Sequence, residues 1–437
     1  MASSTVSPND EARPANATHP IAAAAWTALD DAAIRWALLR GHADGRDGDI
    51  DVLVDPADAP ALDRALATVG FVRLAAIGHA DHRFYRSYDE TTDWWLTLDV
   101  VTELAFGPGA WLELPGAAQA VLESRTHAVD GWRLRPDDAF WALLLHDLLD
   151  RRDLPPAHAE DLQRLVRAAR ADGSIGRRID ALAGPGSAWR LIGFIGDGAT
   201  EAALSDGRRL GRRWVRSTRA KALRRRVRQI VLRRLRKPHT ALRRRGIDVA
   251  VLGPDGAGKS TLAASLAATL PVPTRTIYLG LYGAGLAKAG RFGFLRRLAR
   301  LWRGWGAGLW HRLRGRVVVY DRHAFDALLA PTRSTAKARL RRWALLHAIP
   351  DPALVLILDA PAELLFARKG EHDVAILDAQ RQGYLALAAR LRSAEVVDAT
   401  RDPEAVRRDA VARTWRRLAG GGAGRGGGAG AGGGAGG

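Results

Sequence analysis

The sequence contains no cysteine, so disulfide bonds, thiolate metal sites and cysteine nucleophiles are all excluded. Long hydrophobic runs are missing as well. No stretch approaches the roughly 18 uncharged apolar residues of a membrane span, so we expect none. The first 20 residues are polar, without the basic start and apolar centre of a secretory signal. We therefore expect a cytoplasmic protein, either free or peripheral at the inner face of the membrane.

Lysine is scarce, because only six of the 66 basic residues are lysine. The formal net charge is nevertheless +19, and it is concentrated in one place. Residues 207–246 carry 18 Arg or Lys and no Asp or Glu, while the remainder of the chain is close to neutral. The charge therefore indicates one basic segment and not a protein that is basic throughout.

A glycine-rich stretch near the middle of the chain has the pattern G-x-x-x-x-G-K-S. A β-branched run precedes it and an Ala/Leu-rich segment follows, which is the strand-loop-helix context of a phosphate-binding loop. Backbone N–H groups of such a loop converge on phosphate oxygens, and the helix directs its positive end at the same anion. We predict that this loop binds a nucleoside triphosphate through Gly253, Asp255, Gly256, Ala257, Gly258, Lys259, Ser260 and Thr261, with Ser260 also holding Mg²⁺.

The region around this loop alternates short apolar strands with helical patterns. Such alternation predicts an α/β domain in which a parallel sheet is covered by helices on both faces. The predicted strands are 247–252, 275–279, 316–320, 354–358 and 395–397. The predicted helices are 259–270, 337–347, 361–367, 375–392 and 403–418.

Two further motifs in this region fit phosphoryl transfer. An apolar strand ends in Asp321-Arg322-His323, where the carboxylate can hold the Mg²⁺ shell or orient the attacking group and Arg322 can clamp an anion. Arg368-Lys369 precedes a glycine, which suits a flap that closes over phosphates. The alternatives are an ordinary ion pair at a strand end and a solvated helix terminus.

These motifs resemble those of thymidylate kinase-like P-loop kinases, in the order and spacing of that family across residues 246–418. The resemblance covers the glycine loop, the Asp321-Arg322 pair, the turn 358–361, the flap 368–371 and Asp398-Ala399. It implies ATP and Mg²⁺ as cofactors and a phosphotransferase activity. It further implies that Lys259 and Ser260 handle ATP and Mg²⁺, Asp321 and Arg322 the acceptor, Arg368 the transition state, and Asp398 the adenine end.

The chain departs from that family where the acceptor is seated. Residues 276–283 read Thr-Ile-Tyr-Leu-Gly-Leu-Tyr-Gly in place of the family's Phe-Thr-Arg stretch, and 324–329 replace its Ser/Ala-Tyr-Gln stretch. The phosphoryl acceptor is therefore left open between a nucleoside monophosphate and another small phosphorylated molecule. Residues 291–316 interleave aromatic residues with eight arginines. They form helices packed on the sheet, a site for a large anionic or lipid-linked acceptor, or an interfacial helix.

The first region, residues 21–205, is predicted to be α+β with a helical extension from Pro136. We predict helices at 22–39 and 59–69 and strands at 50–54 and 94–101. Asp49 and Asp51 precede or enter one strand and Asp99 lies in another, which suits a carboxylate cluster for Mg²⁺. The pattern resembles the nucleotidyltransferase superfamily, although His42 stands where serine is usual and Arg40, Arg46 or His82 would have to compensate.

These observations predict five segments. Residues 1–20 and the Gly/Ala-rich 419–437 are expected to be disordered, 21–205 and 246–418 to be domains, and 206–245 to be a basic amphipathic linker. That linker either binds an anionic membrane or, less favoured, nucleic acid, or it docks its apolar stripe on a domain.

The function that the sequence favours is an ATP-dependent kinase acting on a small phosphorylated acceptor. Its nucleotidyltransferase-like domain is either active or vestigial, and Mg²⁺ is the only metal that we expect. The alternative is an ATP-binding and ATP-hydrolysing switch that docks on a membrane or nucleic acid through its basic segment.

Overall fold

The computed structural model describes residues 18–40, 49–74, 82–107, 110, 112–218, 223, 224, 227, 230, 246–281, 293–328, 335–370 and 373–423. The chain divides into two compact units, a first unit of Met1–Arg236 together with Gly422–Gly437 and a second unit of Lys237–Gly421. Each unit has its own hydrophobic core. Across the residues just given, no helix is long and apolar enough to cross a membrane.

The first unit is built on a mixed seven-stranded sheet in the order β3-β4-β5-β2-β1-β9-β8. Strand β2 runs parallel to β5 and β1 parallel to β9, while the other neighbours are antiparallel. A separate pair is formed by β6 and β7. The strands are β1 (Trp36–Arg40), β2 (Ile50–Val54), β3 (Val72–Arg73), β4 (Arg83–Asp89), β5 (Trp94–Val101), β6 (Ala105–Phe106), β7 (Leu112–Glu113), β8 (Thr126–Ala128) and β9 (Gly131–Arg133).

The helices of the first unit cover one part of this sheet and then form a helical extension. They are α1 (Pro20–Asp31), α2 (Ala59–Thr68), α3 (Ala117–Glu123), α4 (Pro136–Leu145), α5 (Pro156–Leu165), α6 (Ser174–Ala183), α7 (Ser187–Gly196) and α8 (Thr200–Ser217). Two acidic residues, Asp137 and Asp138, lie in the first turn of α4, where their negative charges interact favourably with the positive end of the helix dipole. Helix α4 begins at Pro136, as predicted.

The predicted helix over 22–39 is wrong in its second half. The helix ends at Asp31, Ala33 adopts a left-handed φ of 53°, and β1 begins at Trp36. Strand β1 lies inside the sheet between β2 and β9, so both of its faces are buried. A strand that is buried on both faces shows no polar alternation, and from sequence it resembles a continuing apolar helix.

The predicted boundaries of the first domain also shift. Helix α1 starts at Pro20, within the segment expected to be disordered, and residues 1–17 lie outside the described residues. Helix α8 crosses the predicted boundary at 205/206 and buries Leu210 and Trp214 in the core of the first unit. The first part of the basic segment is thus a docked helix. Apart from 223, 224, 227 and 230, residues 219–245 lie outside the described residues.

The second unit contains a five-stranded sheet in the order β11-β12-β10-β13-β14, and all of its strands are parallel. The three central strands are almost wholly buried, whereas the two edge strands are partly exposed. The strands are β10 (Asp248–Leu252), β11 (Thr274–Tyr278), β12 (Val317–Asp321), β13 (Leu354–Asp359) and β14 (Ala394–Asp398). All five were predicted, each with ends within a residue.

Helices connect these strands, as parallel neighbours require. They are α9 (Lys259–Thr269), α10 (Gly293–Leu313), α11 (Ala336–Leu346), α12 (Ala362–Lys369), α13 (Val374–Ala388) and α14 (Pro403–Ala423), with a 3₁₀ turn at Ala324–Leu328. The described part of the aromatic- and arginine-rich stretch 291–316 is mostly the single long helix α10. Helix α14 continues five residues beyond 418, and residues 424–437 of the predicted tail lie outside the described residues.

Candidate functional site

The glycine-rich loop joins the buried end of β10 to the first turn of α9. Gly256 has φ +90°, and a Cβ there would lie 2.7 Å from the carbonyl oxygen of Leu365, so the loop packs directly on α12. Gly258 has φ +89° and would meet nothing within 4 Å. The loop is thus closed against the protein at Gly256 and open at Gly258, while Ser260 and Thr261 are exposed in the first turn of α9.

Lys259 is buried beneath the loop. Its Nζ donates to the carbonyl oxygen of Pro254 at 2.7 Å and lies 3.2 Å from Oδ1 of Asp255. Burial lowers the pKa of Lys259, and the carboxylate of Asp255 partly offsets that effect. The ammonium group is therefore held at the loop, between the carbonyl oxygen of Pro254 and its internal counter-ion Asp255.

A second cation reaches the same carboxylate from β12. Nη2 of Arg322 lies 2.8 Å from Oδ1 of Asp255, so the carboxylate bridges Lys259 and Arg322. Burial alone would raise the pKa of Asp255, but the two cations outweigh it and hold that pKa at about 2. Arg322 has a left-handed φ of 71°, which is uncommon for a side chain of its size and sits where β12 meets the loop.

Asp321 ends β12 beside the strand that leads into the loop. It is the register partner of Val251 in the parallel pair of β10 and β12. The side chain is buried, and its Oδ1 has no hydrogen-bond partner among the described residues. A buried carboxylate oxygen without a donor is costly. The Oδ1 of Asp321 is therefore available to a cation or a donor that the described residues do not supply.

The sequence did not predict the role of Asp326. It lies in the 3₁₀ turn after β12 and is buried, with Oδ1 accepting a hydrogen bond from the hydroxyl of Tyr384 at 3.0 Å. Oδ2 lies 3.9 Å from Nη1 of Arg322. Burial raises the pKa of Asp326 to about 6, although Arg322 opposes that shift. The only signal in the sequence was an acidic residue within an otherwise apolar stretch.

The predicted flap residue Arg368 contacts a different part of the site. It is exposed at the end of α12 and donates to the carbonyl oxygen of Ala399 at 3.0 Å. Asp398, predicted at the adenine end, is exposed and accepts from the backbone and hydroxyl of Thr400. Arg368 is thus joined to the Asp398-Ala399 segment at the end of β14. Glu371 lies outside the described residues.

A third arginine, which the sequence did not single out, binds the end of the neighbouring strand β13. The guanidinium of Arg381 on α13 makes a two-point contact with Asp359, at 2.6 and 3.0 Å. Asp359 in turn holds the next segment, because its carbonyl oxygen accepts from the backbone of Ala399 at 2.8 Å. The carboxyl ends of β13 and β14 are therefore fixed together beside the loop.

The carboxylates predicted in the first unit lie near one another, but each has a partner. Asp51 and Asp99 are directly opposite in the parallel pair of β2 and β5. Asp51 contacts Nε of Arg40 at 2.9 Å, Asp99 contacts Nδ1 of His82 at 2.9 Å, and Asp49 hydrogen-bonds Thr97.

The neighbouring carboxylates shift the pKa of His82. Burial lowers this pKa, but the hydrogen bond to Asp99 and the negative charges of Asp99 and Asp51 together outweigh burial, so the net shift is upward. Within the described parts of the chain, no three His, Asp or Glu side chains are arranged to hold a metal ion. The Mg²⁺ site at Asp49, Asp51 and Asp99 therefore stays a prediction. His42 and Arg46 lie outside the described residues.

The structure thus has two α/β units, one of which carries a glycine loop at the carboxyl end of a five-stranded parallel sheet. Comparison with known proteins adds no identification: no protein-family model matches the chain, and no curated protein matches it significantly.

Proposed function

We propose that the second unit is an ATP-dependent kinase that transfers the γ-phosphoryl group to a small phosphorylated acceptor. One observation carries the proposal: Lys259 and Arg322 converge on Asp255 in a glycine loop at the carboxyl end of a parallel sheet. Ligands of such sheets bind at that end, and two cations at one loop suit a polyanion. The proposed P-loop fold of this unit rests on the same features.

The residues of the loop fit a nucleoside triphosphate. Gly258 leaves open space beside the first turn of α9, where backbone N–H groups face outward from the helix N-terminus. Ser260 and Asp321 would hold Mg²⁺, and the unpartnered Oδ1 of Asp321 supports that assignment. When bound, Mg²⁺ would neutralise charge on the β- and γ-phosphates. Lys259 would exchange its contact with Asp255 for a phosphate oxygen.

The acceptor end would be formed by residues around Arg322. Its guanidinium is held between Asp255 and Asp326, and Tyr384 fixes Asp326 in turn. An arginine oriented in this way can bind an anionic acceptor and set its position relative to the γ-phosphorus. In the transfer, the bond from the γ-phosphorus to the β,γ-bridging oxygen breaks. A bond from phosphorus to the acceptor oxygen forms, and ADP leaves.

Arg368 would stabilise the transferring phosphoryl group only after moving. In the structure it is bonded to Ala399, so a closing step must release it from that carbonyl oxygen. Gly370, with a left-handed φ of 65° directly after α12, supplies a joint at which the chain can turn. Lid residues that close on bound substrate are common in enzymes that must exclude water.

The first unit would be a nucleotidyltransferase-like domain, active or vestigial. The support is the adjacent pair Asp51 and Asp99 at the same level of two parallel strands. If it is active, Arg40 and His82 must leave these carboxylates when a metal binds. Wild type and Asp51→Asn/Asp99→Asn can be compared for transfer from labelled nucleoside triphosphates. Transfer that is lost in the variant supports activity, and none in wild type leaves the vestigial alternative.

The kinase proposal can be tested by ADP release with a panel of nucleoside monophosphates and sugar phosphates. We expect one acceptor to stimulate turnover strongly, and Lys259→Met to lower it by at least about 100-fold, since it removes a cation from the phosphates. Lys337→Met is the matched control, because Lys337 is exposed on α11. Turnover that survives Lys259→Met contradicts the nucleotide site. Slow hydrolysis that no acceptor stimulates favours the alternative of an ATP-dependent switch.

A further inference from the structure

Helix α10 presents its smallest residues to the sheet. A Cβ on Gly304 would lie 2.2 Å from a methyl carbon of Leu279, and one on Gly308 would lie 2.0 Å from the hydroxyl oxygen of Tyr320. The helix therefore packs on β12 and the end of β11 through its backbone. In an ordinary surface helix the large apolar residues occupy the face that meets the core.

Four large apolar residues of α10 lie on the opposite face, in contact with solvent, whereas Leu301 is buried in the core and Phe294 and Trp305 pack against it. Trp302 is 58% exposed and Trp310 is 56% exposed, although tryptophan is normally among the more buried residue types. Leu295 and Leu313 are exposed as well. These four residues recur at helical spacing and form one apolar stripe along the outer face of a helix about 30 Å long.

The adjoining helix α11 extends this surface. The indole Nε1 of Trp302 donates to the carbonyl oxygen of Ala348, just beyond the end of α11, at 2.9 Å. Arg341 of α11 lies 5.8 Å from the ring centre of Phe294 on α10. Helix α11 exposes Leu340 and Trp343 to an extent of 64% and 58%. We name the exposed residues Leu295, Trp302, Trp310, Leu313, Leu340 and Trp343 the tryptophan surface.

The tryptophan surface is surrounded by positive charge. Helices α10 and α11 contain five arginines and three arginines with one lysine, respectively, and neither contains Asp or Glu. Arg296 and Arg303 are exposed next to the apolar stripe, and the guanidinium of Arg314 lies over the ring of Trp310 at 4.3 Å. A partner of this surface must therefore combine apolar contact area with negative charge.

We propose that the tryptophan surface binds the surface of an anionic lipid bilayer. An apolar stripe of tryptophan and leucine bordered by arginine is the composition of helices that lie in the membrane interface. The indole rings would enter the region between headgroups and acyl chains, and the arginines would contact anionic headgroups. A nucleic acid would match the arginines and could stack bases on the indole rings, but it would leave Leu295, Leu313 and Leu340 without an apolar contact. This binding is independent of the kinase proposal.

The test is flotation of the full chain with vesicles, without nucleotide. We expect binding to phosphatidylcholine vesicles that contain phosphatidylglycerol, weak binding to phosphatidylcholine alone, and loss of binding at high salt. Trp310→Ser/Trp343→Ser should weaken partitioning by at least about tenfold, because two rings lose their apolar contact with lipid. Arg296→Gln/Arg303→Gln should weaken it by about fivefold for each charge removed.

Matched controls are available in the same chain. Trp189 of the first unit is 67% exposed, so Trp189→Ser removes an equally accessible ring from a different surface. Arg390→Gln/Arg392→Gln removes two exposed charges from the second unit outside α10 and α11. Both controls should bind vesicles as wild type does. Circular dichroism and thermal melting of every variant exclude unfolding as the cause of a loss.

Three results would overturn the proposal. The first is wild type that does not float, or that floats equally with neutral and anionic vesicles. The second is binding that Trp310→Ser/Trp343→Ser leaves unchanged, because the lipid contact then belongs to another surface such as the segment 207–246. The third is a wild type that binds no lipid but forms a dimer, which Trp310→Ser/Trp343→Ser converts to monomers. The tryptophan surface would then be a contact between two copies of the chain.

Discussion

At the scale of single residues, the site in the second unit is a chain of alternating charges. Lys259, Asp255, Arg322 and Asp326 are each within 4 Å of the next, and the hydroxyl of Tyr384 ends the series. Asp255 lies between two cations, and its pKa falls to about 2. Asp326 is more deeply buried beside one cation, and its pKa rises to about 6. Differences in burial and in the number of neighbouring cations thus give different pKa values to the two carboxylates on either side of one arginine.

Asp326 makes the stability of the protein depend on pH. Its folded-state pKa of about 6 lies above the ordinary value of 3.8 for an aspartate, so ionisation opposes folding. The contribution of the protonated form is complete below about pH 4 and is lost as the pH rises through about 6. Asp326→Asn cannot ionise, and its amide oxygen can still accept from Tyr384. We expect the variant to be more stable than wild type by about 1–3 kcal/mol near pH 8.

The measurement is urea unfolding of both proteins near pH 4 and near pH 8. The difference in unfolding free energy should shrink towards zero at the acidic end. Asp351→Asn, at an exposed position, is the matched control and should show no such trend. A difference that is the same at both pH values would show that Asp326 does not titrate in this range.

At the scale of elements, the sequence predicted the second unit better than the first. Its central strands are buried apolar runs, each separated from the next by a helix, so strand and helix positions could be read directly. Strand β1 of the first unit could not be predicted in this way, because it is buried on both faces and therefore lacks the alternation of apolar and polar residues. The chain order of the motifs also selected Lys259, Ser260 and Asp321 as candidate site residues, and their roles stay predictions.

Patterns within a short segment could not predict contacts between distant parts of the sequence. Asp326 and Tyr384 are 58 residues apart, and nothing in either segment indicates the other. The bond from Arg368 to Ala399 is another example, since a flap residue was expected near phosphate. The stretch 291–316 left three interpretations open because composition cannot tell which face of a helix meets the sheet. The structure shows Gly304 and Gly308 on the inner face of α10 and Trp302 and Trp310 on the outer face.

The glycines of α10 provide a direct test of that orientation. Gly308→Ala places a methyl group against the side chain of Tyr320 and should destabilise the second unit by about 1–3 kcal/mol. Gly306→Ala meets nothing within 4 Å, so it should stabilise the same helix by up to about 1 kcal/mol through better helix propensity. Thermal unfolding of both variants measures the two effects. Equal effects of the two substitutions would contradict the observed packing.

At the scale of the whole molecule, the chain consists of two units with separate cores and separate charge distributions. The site proposed for ATP involves only residues of the second unit, from Gly253 to Asp398. The acidic pair of the first unit involves only β2, β5 and their neighbours. The described residues assigned to each proposed site therefore belong to one unit.

Calorimetry can examine this separation. We expect two unfolding transitions, of which Mg²⁺–ATP raises the midpoint of only one, because a ligand stabilises the unit that binds it. At about 100 times the dissociation constant the stabilisation is about 2.7 kcal/mol. Lys259→Met should lose the shift while the other transition stays in place. A single transition that moves as a whole would mean that the two units unfold together.

If the loop binds a triphosphate as proposed, the ion pair between Lys259 and Asp255 would make it selective before any acceptor arrives. Because the carboxylate of Asp255 already forms ion pairs with Lys259 and Arg322, an incoming anion must compete with this carboxylate for the two cations. A chloride ion or a single phosphate offers little more charge than the carboxylate that it must displace. A triphosphate offers several oxygens at once and also reaches the backbone N–H groups of the loop. The internal carboxylate would thus set a minimum ligand charge, below which the abundant small anions of a cell would be rejected.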